Sequence, residues 1–156
     1  MTKFRSSLLA LAAGAALFAG NAGAATTSSS FTVSIQVQNN CTVAVGNIDF
    51  GTVNDLSAVH TASSTATVTC SGNGGWDVAF SAGDSSNQAA RSMDGAVAYN
   101  LYTAAVAGSV LGDGNGGTVK PTGNGSGSFT VYARTVAGQP MVNGTYSDSI
   151  TATLTY

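Results

Sequence analysis

An antiparallel all-β sandwich is the fold this chain predicts, and three observations carry that expectation. The clear periodic segments alternate apolar and polar residues with period two, glycine- and asparagine-rich turns separate them, and no stretch after residue 24 shows a sustained helical stripe. Successive side chains of a strand point to opposite faces, so such alternation describes strands buried on one side and wet on the other.

The chain opens on a leader. Lys3 and Arg5 give a positive start, Leu8 to Phe18 an apolar run, and Ala22-Gly23-Ala24 a small-residue cleavage site, so residues 1–24 are expected to be a signal peptide. The apolar run is short for a membrane span, and no charged stop-transfer segment follows it. The mature chain is expected to start near Ala25 and to be soluble outside the cytoplasm. Its length of about 130 residues suits one domain with a real core.

After the polar stretch Thr26 to Ser30, Phe31, Val33, Ile35 and Val37 alternate with Thr32, Ser34, Gln36 and Gln38. This places the apolar side chains on one face of an extended strand. A strand of this kind needs a groove to lie in, either in its own domain or in another copy. Asn39-Asn40-Cys41 closes the segment. The link Gln38 to Asn40 is too short to fold the strand back easily beside one beginning near Cys41, unless Asn39-Asn40 forms a tight turn.

Four further strands follow in order. Ala66, Val68 and Cys70 alternate with Thr65, Thr67 and Thr69, and after the turn Asn73-Gly74-Gly75, Trp76, Val78 and Phe80 alternate with Asp77, Ala79 and Ser81. The glycine-rich runs Gly112 to Gly117 and Gly123 to Gly127 read as loops. Phe129, Val131 and Ala133 then alternate with Thr130, Tyr132 and Arg134. Past Asn143-Gly144, Ile150, Ala152, Leu154 and Tyr156 alternate with Ser149, Thr151, Thr153 and Thr155. A last strand at a sheet edge would expose unpaired backbone groups, and the Phe31 to Val37 segment is the natural candidate to cover them.

Charge and cysteine content narrow the function. Without the leader, Arg91, Lys120 and Arg134 stand against seven Asp and no Glu, a formal charge of −4, which argues against nucleic acid or anionic lipid as partner. Two cysteines in an exported chain are most simply a disulfide. Pairing Cys41 with Cys70 closes a loop of about 30 residues, worth about 3 to 4 kcal/mol in the chain-entropy account. No neighbouring Cys or His offers a metal or redox site.

Other candidate sites have simpler readings. Gly112-Asp113-Gly114-Asn115-Gly116-Gly117 places oxygens at alternate positions, but a calcium loop normally brings more carboxylates, and no Gly-Lys-Ser/Thr follows to make a phosphate loop. It reads as a glycine turn. His60, the one histidine, lies in a loop-like stretch from Leu56 to Ser64, without a nucleophile-elbow pattern, and no enzyme is expected. Trp76 is a possible sugar platform, but its phase with Val78 and Phe80 places it in the core.

The order and spacing of several short motifs are similar to those of the spore coat protein U domain family and the related pilins of archaic, Csu-like chaperone–usher pili. They are Asn40-Cys41-Thr42-Val43, Asp49-Phe50-Gly51, Val68-Thr69-Cys70, Arg91-Ser92-Met93, Tyr99-Asn100-Leu101-Tyr102, Gly112-Asp113-Gly114, Val131-Tyr132-Ala133-Arg134 and Gly144-Thr145-Tyr146-Ser147-Asp148. Leu111 departs from the pattern, since many relatives have Trp before the Gly-Asp-Gly turn.

The resemblance implies an immunoglobulin-like sandwich that lacks its last strand, completed by the N-terminal donor strand of another subunit. It divides the chain into a signal peptide (1–24), a donor segment (25–39) and an incomplete pilin domain (40–156). Phe31, Val33, Ile35 and Val37 become the pocket-filling side chains; Ile150, Ala152, Leu154 and Tyr156 become the last strand beside the acceptor groove. Implied partners are other pilin subunits, a periplasmic chaperone that holds the Tyr156 carboxylate and its strand, and an outer-membrane usher. The implied setting is a surface pilus serving adhesion and biofilm formation, with no cofactor and no metal. The alternatives are a secreted carbohydrate-binding β-sandwich built around Trp76 and exposed tyrosines, and a spore or biofilm coat protein.

Overall fold

The computed structural model describes residues 23–140 and 142–156. The predicted signal peptide lies outside them except for Gly23 and Ala24. The chain divides into two units, Met1–Ile35 and Gln36–Tyr156. In the first, residues 23–35 form no regular strand, and Phe31, Val33 and Ile35 are exposed. Alternation in a sequence records which face will be buried once a partner is present, whereas a strand exists only when its backbone groups are paired. The segment expected to be a strand is therefore chain without a ladder.

The second unit carries eight strands: β1 (Cys41–Val45), β2 (Thr61–Cys70), β3 (Gly75–Phe80), β4 (Arg91–Met93), β5 (Val97–Tyr102), β6 (Thr122–Asn124), β7 (Gly127–Thr135) and β8 (Ala152–Thr155). A five-stranded sheet runs β1-β2-β7-β5-β4 and a three-stranded sheet runs β6-β3-β8, with every ladder between these strands antiparallel. The two sheets pack face to face. Ala66 and Val68 of β2, Leu101 of β5, and Val131 and Ala133 of β7 meet Trp76, Val78 and Phe80 of β3 in one buried cluster, closed by Leu111. The Thr rows between these residues stay on the wet faces, as the period-two reading requires.

Three expectations change at their edges. The stretch Leu56 to Ser64 is not all loop, because Thr61 to Ser64 belong to β2 and pair with Val131 to Arg134. The run Gly123 to Gly127 is partly strand, since Gly123 lies in β6 opposite Trp76. The last strand is shorter than Ser149 to Tyr156, because only Ala152–Thr155 pair with β3. In the first two places small residues supply the pairing without an apolar stripe to announce it.

Cys41 and Cys70 form the disulfide, which ties the start of β1 to the end of β2 in register. Trp76 is buried, stacks on Phe129 and donates its indole N–H to the Gly125 carbonyl at 2.7 Å, so it offers no surface platform. His60 is fixed by its backbone N–H donating to Thr135 Oγ1 at 2.8 Å, and its ring Nε2 lies 2.9 Å from the Asp55 carbonyl. In the glycine turn, Asp113 accepts from the Asn115 amide, a hydrogen bond that holds its carboxyl below the usual carboxylate range.

Gly123 faces the Trp76 ring so closely that an added Cβ would collide with Trp76 Cζ2. Gly123→Ala is expected to lower stability by about 1 to 3 kcal/mol through overpacking. Urea unfolding followed by fluorescence of Trp76, the single tryptophan, checks this, and an unchanged midpoint would refute the tight contact.

Candidate functional site

An open groove of about 880 Å³ runs along one side of the second unit. Its position follows from where two edge strands stop. β1 ends at Val45, and the chain continues irregularly through Ile48, Phe50 and Val53 to the buried Leu56. On the other side β8 begins only at Ala152, and the residues before it, Val142 to Ile150, run as irregular chain. These stretches are the walls, and no strand of the described residues lies between them. β1 and β8 are also the terminal strands of their sheets, so each presents an outer backbone edge of the kind that accepts another strand.

The floor is apolar. Leu101, Val131 and Ala133 come from the inner face of the five-stranded sheet, and Phe80 from β3. Their parity in β5 and β7 points them inward, so the floor is the sandwich core itself seen through the gap. Ile48, Phe50, Met93, Ile150 and Ala152 extend it as half-buried rims packed against that core.

One end of the groove is polar. The Tyr99 hydroxyl donates to Asp148 Oδ2 at 2.6 Å, and Asp148 Oδ1 accepts the Asp84 amide at 2.8 Å. Burial, helped by that carboxylate, pushes the Tyr99 hydroxyl well above its ordinary pKa. Gly83 is needed here: it has φ +67°, and a Cβ would overlap the Asp148 carboxylate. Asp49 lies on the opposite wall and accepts the Gly51 amide at 2.7 Å. Among the described residues, no Lys, Arg or His lines the groove.

Behind the polar end sits Arg91, 1% exposed. Its Nε and Nη2 donate to the Ser81 carbonyl, and its Nη1 to the Gln88 carbonyl and, at 2.6 Å, to Asn100 Oδ1. Burial draws its pKa down from the usual guanidinium value. These bonds tie β4, β5 and the loop after β3 into one support beneath the groove.

Of the residues predicted for the last strand, Ile150 and Ala152 line the groove. Leu154 packs against the core instead, and Tyr156 is exposed, its hydroxyl 3.5 Å from Asn40 Oδ1. The predicted donor residues Phe31, Val33, Ile35 and Val37 are 84–88% exposed. Sequence reasoning missed the Val45–Leu56 wall and the β5 floor. The available signal was Asp49-Phe50-Gly51, whose Asx-type turn and half-buried aromatic mark a fixed loop and not a spacer.

An immunoglobulin-like β-sandwich with an unfilled apolar groove at its strand edges is the class these features define. The chain belongs to the Spore Coat Protein U domain family, whose model matches residues 27–153. No curated protein sequence matches it. Among solved structures, its fold is similar to a chain in the crystal structure of the CsuC–CsuE chaperone–tip adhesion subunit pre-assembly complex from archaic chaperone–usher Csu pili of Acinetobacter baumannii. The TM-score is 0.58 at 18% identity, over 77% of this chain and 40% of that chain.

Proposed function

We propose that this protein is a structural subunit of a chaperone–usher surface pilus that polymerises by donor-strand complementation. The observation that carries the reading is the pairing of an open, apolar-floored groove with an exposed alternating segment in the same chain. Residues 25–39 are the donor segment and 40–156 the domain that accepts one. Phe31, Val33, Ile35 and Val37 of one subunit fill the groove of the next, while backbone hydrogen bonds to its edges supply affinity. Burial of these side chains is worth about 1.5 to 3 kcal/mol each, before the cost of ordering the segment.

Within the groove the close pair Tyr99 and Asp148 holds the end of the floor together. A periplasmic chaperone shields the same groove and the edge Ile150 to Tyr156 before assembly, and an outer-membrane usher exchanges the chaperone for the next donor. Adhesion and biofilm formation at the cell surface follow from the fibre. The similarity to a chain of a chaperone–subunit complex supports this reading, as does the family.

The test compares the mature chain with one lacking residues 26–38 on a non-reducing denaturing gel, unheated and boiled, and melts the truncated form with and without the missing segment as a peptide. The expected result is an unheated ladder that collapses on boiling and disappears on truncation, with a peptide-induced rise in melting temperature. Monomers from both chains, with no response to peptide, would overturn the proposal and favour a secreted binding module.

A further inference from the structure

We infer that Asn39 is a positioning residue that fixes the root of the N-terminal extension on its own domain, a role that rests on the functional reading above. Its side chain sits beside the disulfide, with Nδ2 3.3 Å from Cys41 Sγ. A Cβ on Gly72 would lie 3.0 Å from Asn39 Oδ1, and one on Gly74 would lie 2.5 Å from Asn39 Nδ2. Neither glycine has positive φ, so backbone conformation does not require them. What they supply is space, and Asn39 occupies it.

The following residues are pinned as well. The Asn40 amide donates to Ser71 Oγ at 3.0 Å, the Ser71 amide donates to the Asn40 carbonyl at 2.9 Å, and Cys41 is bonded to Cys70. Asn39 Oδ1 is buried without a hydrogen-bond partner. An unpaired buried acceptor is unfavourable, so fit between the two glycines, and not hydrogen-bond satisfaction, accounts for this seat. Val37, two residues before it, is 84% exposed, so the change from exposed extension to seated root falls within Gln38 and Asn39.

In a polymer the extension is held by the neighbour's groove and its root by the Gly72–Gly74 cradle. Only Gln38 lies between the last pocket-filling residue, Val37, and the seated Asn39, and the range of angles between successive subunits is therefore narrow. A fixed root also lowers the ordering cost of strand insertion.

The experiment uses the full mature chain and its Gly74→Ala, Asn39→Ala and doubly substituted variants. Three quantities are read: hydrogen exchange of the Asn40 amide in the monomer, the heat-sensitive ladder, and the spread of inter-subunit angles in fibres seen by electron microscopy. Gly74→Ala expels the Asn39 side chain from the other side. It is expected to speed Asn40 exchange at least tenfold and to broaden the angle distribution, with the ladder retained. Because both single substitutions empty the same seat, the double variant should be no worse than Gly74→Ala alone. Unchanged exchange and angles in a variant that still forms ladders would overturn this inference alone. A native chain without a ladder would overturn the functional reading and this one with it.

Discussion

Replacing Ile35 with Asp is expected to abolish the heat-sensitive ladder while the domain keeps its melting temperature. Ile35 is 88% exposed in the free chain, so the substitution removes no folded contact, and exposed changes of this kind shift stability by about 0.5 kcal/mol or less. In the proposed joint the same side chain would enter a groove floored by Phe80, Leu101 and Val131. The variant forfeits about 1.5 to 3 kcal/mol of apolar burial. It would also place a carboxylate where, among the described residues, no cation lines the wall, at an effective penalty of several kcal/mol. A sum above about 5 kcal/mol is more than a thousandfold in the joint's equilibrium constant. Ser34→Asp, one position along and on the opposite face, is the control and should still polymerise. Native-like fibres from Ile35→Asp would refute the pocket-filling role.

The second large effect is predicted at Arg91, where substitution by Met should cost about 3 to 5 kcal/mol, because several neutral acceptors lose their shared donor at once. Met approximates the length of the stem but supplies no donor. The Ser81 and Gln88 carbonyls would lose their side-chain donor, while Asn100 Oδ1 would keep only the Leu101 amide, and each buried acceptor left unpaired costs about 1 to 3 kcal/mol. Against a total stability of about 5 to 15 kcal/mol for a typical domain, the variant is expected to be poorly folded at body temperature. Arg91→Lys should recover little, because a point charge cannot reach carbonyls on two sides as the planar guanidinium does. Urea midpoints of the three proteins decide the matter. A loss under about 1 kcal/mol for Arg91→Met would show that the network is dispensable.

Much of the architecture was legible because one-sided burial writes itself into a sequence. β3 and β7, with Trp76, Val78, Phe80 and Phe129, Val131, Ala133, were readable from alternation alone. β4 and β6 were not, being three residues long with Arg91 and Gly123 at positions where a stripe needs apolar side chains. A buried arginine is illegible in principle, since charge ordinarily marks the surface and its carbonyl partners leave no trace in residue identity. The residues proposed as donors stood out by alternation, whereas the groove was only half visible. Ile150 and Ala152 carry the pattern, but the facing wall from Val45 to Leu56 is irregular backbone set by turns such as Asp49-Phe50-Gly51.

The bond between Cys41 and Cys70 also determines how the subunit bears tension. In the proposed fibre, pulling force arriving through the extension passes the Asn39 and Asn40 contacts and enters the first strand at Cys41. Without the crosslink, that load would unzip β1 from β2 one residue pair at a time, starting with Cys41 opposite Cys70. With it, the force passes covalently to the far end of β2, the strand that shares its long register with β7 in the middle of the sheet. The edge strand is thereby taken out of the load path, and a stretched chain of subunits is expected to yield at the non-covalent joints before any domain unravels.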